Sequence, residues 1–390
     1  MTRAFLIAGE PSGDRLGGAL MAGLRSLEPG IAFDGVGGER MIAQGLESRF
    51  PMDELSVMGI AEVLPKYRAL MRRIEETADA VVAKRPDVLI TIDSPDFSLR
   101  VARRVKARAP EVRTVHYVAP TVWAWRAGRA EKMSRMIDHV LALFPFEPPY
   151  MTAHGMDCDF VGHPVVSEPV ATDAEVARFR EEFGLGEAPV LLVLPGSRRG
   201  EVSRLAPVFG ASLPPVLDRH PDMRLVLPAA APVAAAVQDA VRDWPVPVTV
   251  LDPRGLPAKV AARQKRAAFR AASVALAASG TVSLELAAAS TPMVIAYDMN
   301  WLSRTIIRMM MKVDTVTLVN LVSDTRVVPE FIAADCRPEK IAPGLLDVIA
   351  HPDRQRAAMD LTMERLGRAG EDPGLRAARA VLDGLARQRG

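Results

Sequence analysis

Cysteine is scarce: the chain has only Cys158 and Cys336, far apart and in no CxxC or zinc-type spacing. This excludes a disulfide-stapled scaffold and suits a reducing compartment with both thiols free. An excess of one charge is also missing, since 49 Lys and Arg stand against 47 Asp and Glu. The resulting +2 is too close to balance for nucleic-acid binding driven by bulk electrostatics, so no nucleic-acid partner is expected and any cationic site must be local. No apolar run approaches the about 18 uninterrupted residues of a membrane span, and residues 5–9 are too short for a signal-peptide core. The expectation is a cytosolic chain or one lying peripherally on a membrane. The six histidines do not organise into a metal site: only His154, Cys158 and His163 cluster, on a loop-like stretch. Neither a metal nor a cofactor is expected.

What the chain does have is 49% hydrophobic residues in 390, enough for sizeable cores in two or three domains. Short apolar runs alternate with helical periodicity. Residues 5–8, 88–92, 114–118 and 140–143 read as strands in the first part, and 190–194, 225–227, 248–251, 274–277 and 293–296 in the second. Continuous apolar runs of this length suit parallel strands covered on both faces, an α/β architecture. A stretch dense in Pro and Gly from Pro145 to Pro169 lacks a sustained period and places the interdomain connection near 163–172. From residue 353 the chain reads as an Arg-rich helical tail with a solvated face.

Chemistry is expected where strands end. After the first strand, Gly9 and Gly13 surround Glu10 and Ser12, so backbone can approach a ligand at a helix start, although a strand-to-helix turn needs glycine in any case. The segment IDSPDF ends a strand with Asp93 and Asp96, beyond the carboxyl end, where open α/β sheets bind ligands. Asp93 is the best candidate base; the alternative is a turn-forming Asp beside Pro95. In the second half, Ser197 and Arg198 follow a strand in LPGSRRGE, a small-residue turn with a guanidinium able to fork onto a diphosphate. Ser279, Gly280 and Thr281 open another helix, with Glu285 one turn on, placed to bind ribose hydroxyls. Alone, Ser-Gly-Thr is a common cap; its specificity lies in pairing with the Arg198 turn. Trp123 and Trp125 read either as core or as a platform for sugar or acyl chain. Residues 55–74 place Ile60, Val63, Leu64, Tyr67, Met71 and Ile74 on one face among Lys66, Arg68, Arg72 and Arg73. Such a stripe docks on its own sheet or on an anionic lipid surface.

Taken in order, AGEPSGDRLGG, GVGGERM, LSVMGIAEVLPKYR, IDSPDF, YVAPTVWAWR, LALFPFEP, FVGHP, LPGSRRGE, ASGTVSLE and VPEF resemble the lipid-A-disaccharide synthase family over residues 4–345. The resemblance implies two facing Rossmann-like domains of the GT-B glycosyltransferase type. Residues 1–168 would bind acceptor, 169–348 nucleotide sugar, and helices in 349–390 would pack back on the first domain. It implies inverting transfer of 2,3-diacylglucosamine from its UDP donor to 2,3-diacylglucosamine 1-phosphate, giving a β-1,6-linked disaccharide phosphate and UDP. Asp93 matches the base, Glu10 and Asn320 match further active-site positions, and Ser197, Arg198, Ser279, Gly280, Thr281 and Glu285 match the nucleotide side. Met58, Ile60, Val63, Leu64, Tyr67 and Met71 match an apolar patch that meets the inner face of the cytoplasmic membrane. A homodimer through C-terminal parts is also implied. One departure stands out: relatives commonly carry Gln near position 333, where this chain has Ala333, so the nucleotide contacts of that position are either lost or supplied by Glu330. Two other readings share parts of the pattern, a UDP-sugar 2-epimerase-like enzyme and a non-enzymatic peripheral lipid-binding protein.

Overall fold

In the computed structural model, residues 1–55, 63–123, 128–298 and 314–389 are described. They form two compact α/β units, one of residues 1–167 with 369–390 and one of residues 168–368.

The first unit is built on six parallel strands: β1 (Arg3–Ala8), β2 (Ala32–Val36), β3 (Val88–Ile92), β4 (Arg113–Tyr117), β5 (His139–Ala142) and β6 (Asp157–Phe160). Their order is β2-β1-β3-β4-β5-β6. Every residue of β3, β4 and β5 is buried, as expected for central strands covered by helices on both faces. The helix Val63–Lys84 sends Ile74, Ala78 and Val81 into this core, joined by Phe97, Val101 and Val105 of the helix Pro95–Arg108.

The second unit holds β7 (Val190–Leu194), β8 (Arg224–Pro228), β9 (Thr249–Leu251), β10 (Val274–Ala277), β11 (Met293–Tyr297) and β12 (Glu330–Ile332), again all parallel. Read from β9, the order is β9-β8-β7-β10-β11-β12, the doubly wound Rossmann arrangement with its topological switch between β7 and β10. In the first sheet the corresponding reversal lies between β1 and β3.

The C-terminal segment is divided between the units. The helix Asp353–Arg365 buries Met359, Thr362 and Met363 in the second unit, with Thr362 Oγ1 donating to Val319 O. Only the last helix, Pro373–Arg389, returns to the first unit, where it packs along Pro11–Leu27. Gly23 and Gly374 permit this approach: a Cβ on Gly23 would lie 2.7 Å from Gly374 O. The segment expected as a solvated tail is therefore structural in both halves, because its apolar positions face protein.

Candidate active site

The two turns singled out in the second half leave neighbouring strands side by side. Leu194 and Ala277 are register partners, so the turn after β7 and the turn after β10 emerge together at the switch point. They line one cleft of about 660 Å3 that includes Gly196, Ser197, Arg198, Ser279, Gly280, Thr281 and Glu285. Gly196 has φ +115, and a Cβ there would lie 2.5 Å from Glu201 Cβ, so glycine is required on both conformational and steric grounds. Glu201 organises the turn: its Oε2 accepts from Ser197 N at 3.0 Å and Arg198 N at 3.3 Å. A carboxylate on the first turn of a helix also complements the positive end of the helix dipole. Arg198 is left 79% exposed with a loose 3.5 Å contact to Glu201, a guanidinium free to turn onto a ligand.

Glu285 does not stand alone. Lys265, on the helix Ala258–Ala271, donates to Glu285 Oε2 at 2.5 Å and lies 5.2 Å from the Phe269 ring centroid. Lys265 and Asp252 line the cleft as well. Asp252 is held below the usual carboxylate range by hydrogen bonds from the Arg254 side chain.

In the first unit, Ala8 and Ile92 are register partners, which brings Glu10 and Asp93 to the same end of adjacent strands. The loops touch: a Cβ on Gly9 would lie 2.8 Å from Ser94 Oγ. Asp93 and Ser94 both have positive φ, +50 and +46, and nearby Val118 has φ +85. Asp tolerates the left-handed region better than most residues, whereas a β-branched residue is strained there. Asp93 is half-buried, with its N donating to Tyr117 O at 3.0 Å, and Glu10 is exposed. Asp93, His116 and Val118 line a second cleft of about 440 Å3. Burial holds His116 neutral, down to about 4, and its Nδ1 lies 2.8 Å from Thr91 Oγ1.

Other expected residues lie elsewhere. Asn320 is buried and does not line the nucleotide-side cleft. Its Nδ2 donates to Val328 O at 3.0 Å and its Oδ1 accepts from Val328 N at 3.1 Å, so both amide ends clamp the chain. Glu330, considered as a nucleotide contact, spends its carboxylate on Thr315 Oγ1, Val316 N and Thr317 N. Trp123 is buried edge-on against Phe146 and donates to Glu147 Oε1 at 3.4 Å, the core account of that residue. Trp125 lies outside the described residues. So do Met58 and Ile60, and nothing is described of the Val63 and Leu64 side chains. Along the rest of that stripe, Tyr67 is 48% exposed, Met71 packs partly on the core and Ile74 is fully buried. The stripe therefore turns from solvent to core within two helical turns. Among the described residues, no helix is long and apolar enough to cross a membrane and no group of three His, Cys, Asp or Glu is placed to hold a metal.

With this geometry established, comparison with known proteins is direct. Among solved structures, the chain is similar to a UDP-GlcNAc 2-epimerase from Neisseria meningitidis bound to UDP-GlcNAc, with TM-score 0.64 at 11% identity, covering 99% of this chain and 100% of that one. The S. aureus MnaA-UDP co-structure gives TM-score 0.65 at 11% identity over 98% and 95% of the two chains. At that identity the likeness speaks to fold alone, the paired α/β architecture of the GT-B type. Sequence relatives are far nearer. A lipid-A-disaccharide synthase of Ruegeria pomeroyi is 67% identical over 99% of this chain and 96% of its own length. One from Rhodospirillum centenum is 46% identical over 97% and 94%. The family model described as lipid-A-disaccharide synthetase matches residues 4–380. The chain, Glu10 and Asp93 at one switch point and the Arg198 turn at the other, belongs to the lipid-A-disaccharide synthase family.

Proposed function

We propose that the protein transfers 2,3-diacylglucosamine from its UDP donor to the 6-hydroxyl of 2,3-diacylglucosamine 1-phosphate, releasing UDP and forming the β-1,6-linked disaccharide phosphate. The observation that carries this reading is the single cleft that pairs the Arg198 turn with Ser279–Thr281 and Glu285. That cleft fits a nucleoside diphosphate. Arg198 swings its exposed guanidinium onto the diphosphate, and the backbone of residues 279–281 approaches it from the adjacent strand. Glu285, with one oxygen engaged by Lys265, keeps the other for ribose hydroxyls, while the ammonium adds positive charge near the leaving group. Negative charge growing on the departing UDP is stabilised by these groups.

Asp93 takes the proton from the acceptor hydroxyl as the oxygen attacks the anomeric carbon from the face opposite UDP, and the centre inverts. Glu10, on the neighbouring strand end, orients acceptor and base. Asn320 acts at a distance by holding the 315–328 segment in place. The exposed Tyr67, with Arg68 beside it, supports contact of residues 55–74 with an anionic membrane surface that presents both acylated substrates.

The reaction is tested by mass spectrometry of products after incubating purified protein with both substrates and a chelator. A disaccharide phosphate is expected; no product despite measurable UDP binding refutes the reading and leaves an epimerase-like or lipid-binding role. Membrane contact is tested by vesicle sedimentation. The double variant Val63→Ser with Leu64→Ser is expected to sediment less, and unchanged sedimentation rejects the patch. Self-association through the C-terminal part is read from sedimentation equilibrium.

A further inference from the structure

The cleft that Asp93 lines has walls of unusual charge. The helix Pro95–Arg108 presents Arg100 and Arg103 to it, and the helix Gly128–Ser134 presents Arg129 and Lys132. Two carboxylates, Asp93 and Asp96, share the same cleft, so cations outnumber anions two to one.

The charges elsewhere on these helices are neutralised. Arg104 pairs with Glu75, Arg108 with Glu75 and Asp79, and Lys106 with Asp138. Just beyond the second helix, Arg135 pairs with Glu131. Three of the four cleft cations differ: among the described residues, Arg100, Arg103 and Lys132 reach no carboxylate, and Arg100 Nη1 donates only to Met71 Sδ at 3.6 Å. Such cations gathered in a concave surface are held in mutual repulsion unless an anion joins them. Leu99, Met133 and Met136 give the same cleft an apolar part of its lining.

We infer that this cleft is the subsite for the phosphomonoester of the acceptor, with Arg103 and Lys132 closing on the phosphate from opposite helices and Arg100 supporting them. The inference rests on the reaction proposed above and adds to it what selects the acceptor. A phosphomonoester carries close to two negative charges near neutral pH and accepts charge-assisted hydrogen bonds on three oxygens, which suits several cations better than one. The acceptor hydroxyl, on the C6 that C5 bears, and its phosphate, on C1, branch from the two carbons that flank the ring oxygen of one hexose, so one cleft can receive both. Asp93 and these cations line that one cleft together, which brings base and anion site to the same sugar. The donor's diphosphate has its own cleft in the second unit, so the two anions of the reaction are read by different units.

The test compares two acceptors, the 1-phosphate and its 1-O-methyl glycoside, in detergent solution, with the native chain and the double variant Arg103→Ala with Lys132→Ala. The double variant is expected to raise KM for the phosphorylated acceptor by roughly tenfold for each cation removed. KM for the methyl glycoside, KM for the donor and kcat are expected to stay unchanged. Arg103→Lys is expected to restore most of the loss attributable to Arg103. An equal rise with both acceptors, or no rise with either, overturns the assignment. So does unchanged KM in detergent together with weaker sedimentation on phosphatidylglycerol vesicles, which would give these cations to the bulk lipid surface. Equilibrium dialysis of the phosphorylated acceptor without donor separates the two levels of the argument. Binding that falls in the double variant, from a native chain that forms no disaccharide, keeps the subsite and removes the reaction.

Discussion

The two units share a sheet architecture but support their sites differently. In the first, ionisable groups are sunk into the core, and one of them, His116, lines the cleft beside Asp93. Burial lowers His116 and His163 to about 4, the latter also facing Arg15. It raises Glu147 to about 7 and Cys158 to about 12. Glu147 is 2% exposed and accepts from Leu143 N, Phe144 N and Trp123 Nε1; these donors oppose the shift, and desolvation prevails. In the second unit, the resolved shifts among described residues belong to ion-paired surface groups such as Asp252, Asp314 and Asp335. Its site charges sit on turns at the surface of an apolar scaffold. The first unit thus holds buried groups with large shifts where the described residues of the second show shifts only at ion-paired surface groups, and the larger shifts couple the first unit more strongly to pH.

The largest expected effect separates chemistry from nucleotide binding. Asp93→Asn, which keeps a residue tolerant of positive φ, is expected to lower turnover by roughly 10²- to 10⁴-fold while UDP affinity measured by calorimetry stays the same. Full activity removes Asp93 as base.

Next comes pH. Each of the two histidines falls from 6.5 to about 4, which at about 1.4 kcal/mol per unit is about 3 kcal/mol of stability. This stability is present above pH 6.5 and lost as pH falls through about 4. Glu147 works the other way: raised from 4.5 to about 7, it contributes about 3 kcal/mol below pH 4.5 that is lost as pH rises through 7. Two histidines against one glutamate leave acid as the destabilising direction. Hydrogen exchange is expected to show the first unit opening before the second between pH 6.5 and 4. Equal acid sensitivity in both units would erase the contrast.

Arg198→Ala is expected to weaken UDP binding by about ten- to a hundredfold, the range for one charge-assisted hydrogen bond, without changing acceptor binding. Unchanged UDP affinity would take Arg198 out of the nucleotide site. The smallest effect is Gly196→Ala, which forces φ +115 on a residue with a Cβ. A loss of about 1–3 kcal/mol in stability is expected in urea titration, with weaker UDP binding because Glu201 must move. No change in either would mean that the turn is softer than its geometry implies.

Most of the sheet is legible in the sequence because central parallel strands are continuous apolar runs, as in VLITI and VLLVL. The strands that escape are β2, β6 and β12, all at sheet edges. Their sequences AFDGV, DCDF and EFI are short and half-exposed, so the apolar signal thins where one side meets water. Glu10, Asp93, Arg198 and Ser279 were legible since each follows such a run, where an α/β sheet must present its ligand end. Lys265 was not. It lies in an Ala- and Arg-rich amphipathic helix, where one more cation reads as a solvated face until the fold turns it toward Glu285. Arg103 and Lys132 escape for the same reason: each reads as one more cation on a solvated helix, and only the fold brings both to the lining of one cleft. Asn320 was matched to the active site by resemblance alone; no continuous apolar run of strand length precedes it, and its amide bonds Val328 N and O.

The return of the last helix to the first unit bears on how the chain is made. A ribosome releases residues 1–167 long before 369–390, so the first unit cannot complete its packing until the second has been synthesised. Until then the face of Pro11–Leu27 that receives Pro373–Arg389, including Gly23, stays uncovered in the nascent chain. The second unit, contiguous in sequence, has no such wait. The part made first is thus finished last, and a message truncated before codon 369 would yield a second unit with all its segments beside a first unit missing its closing helix.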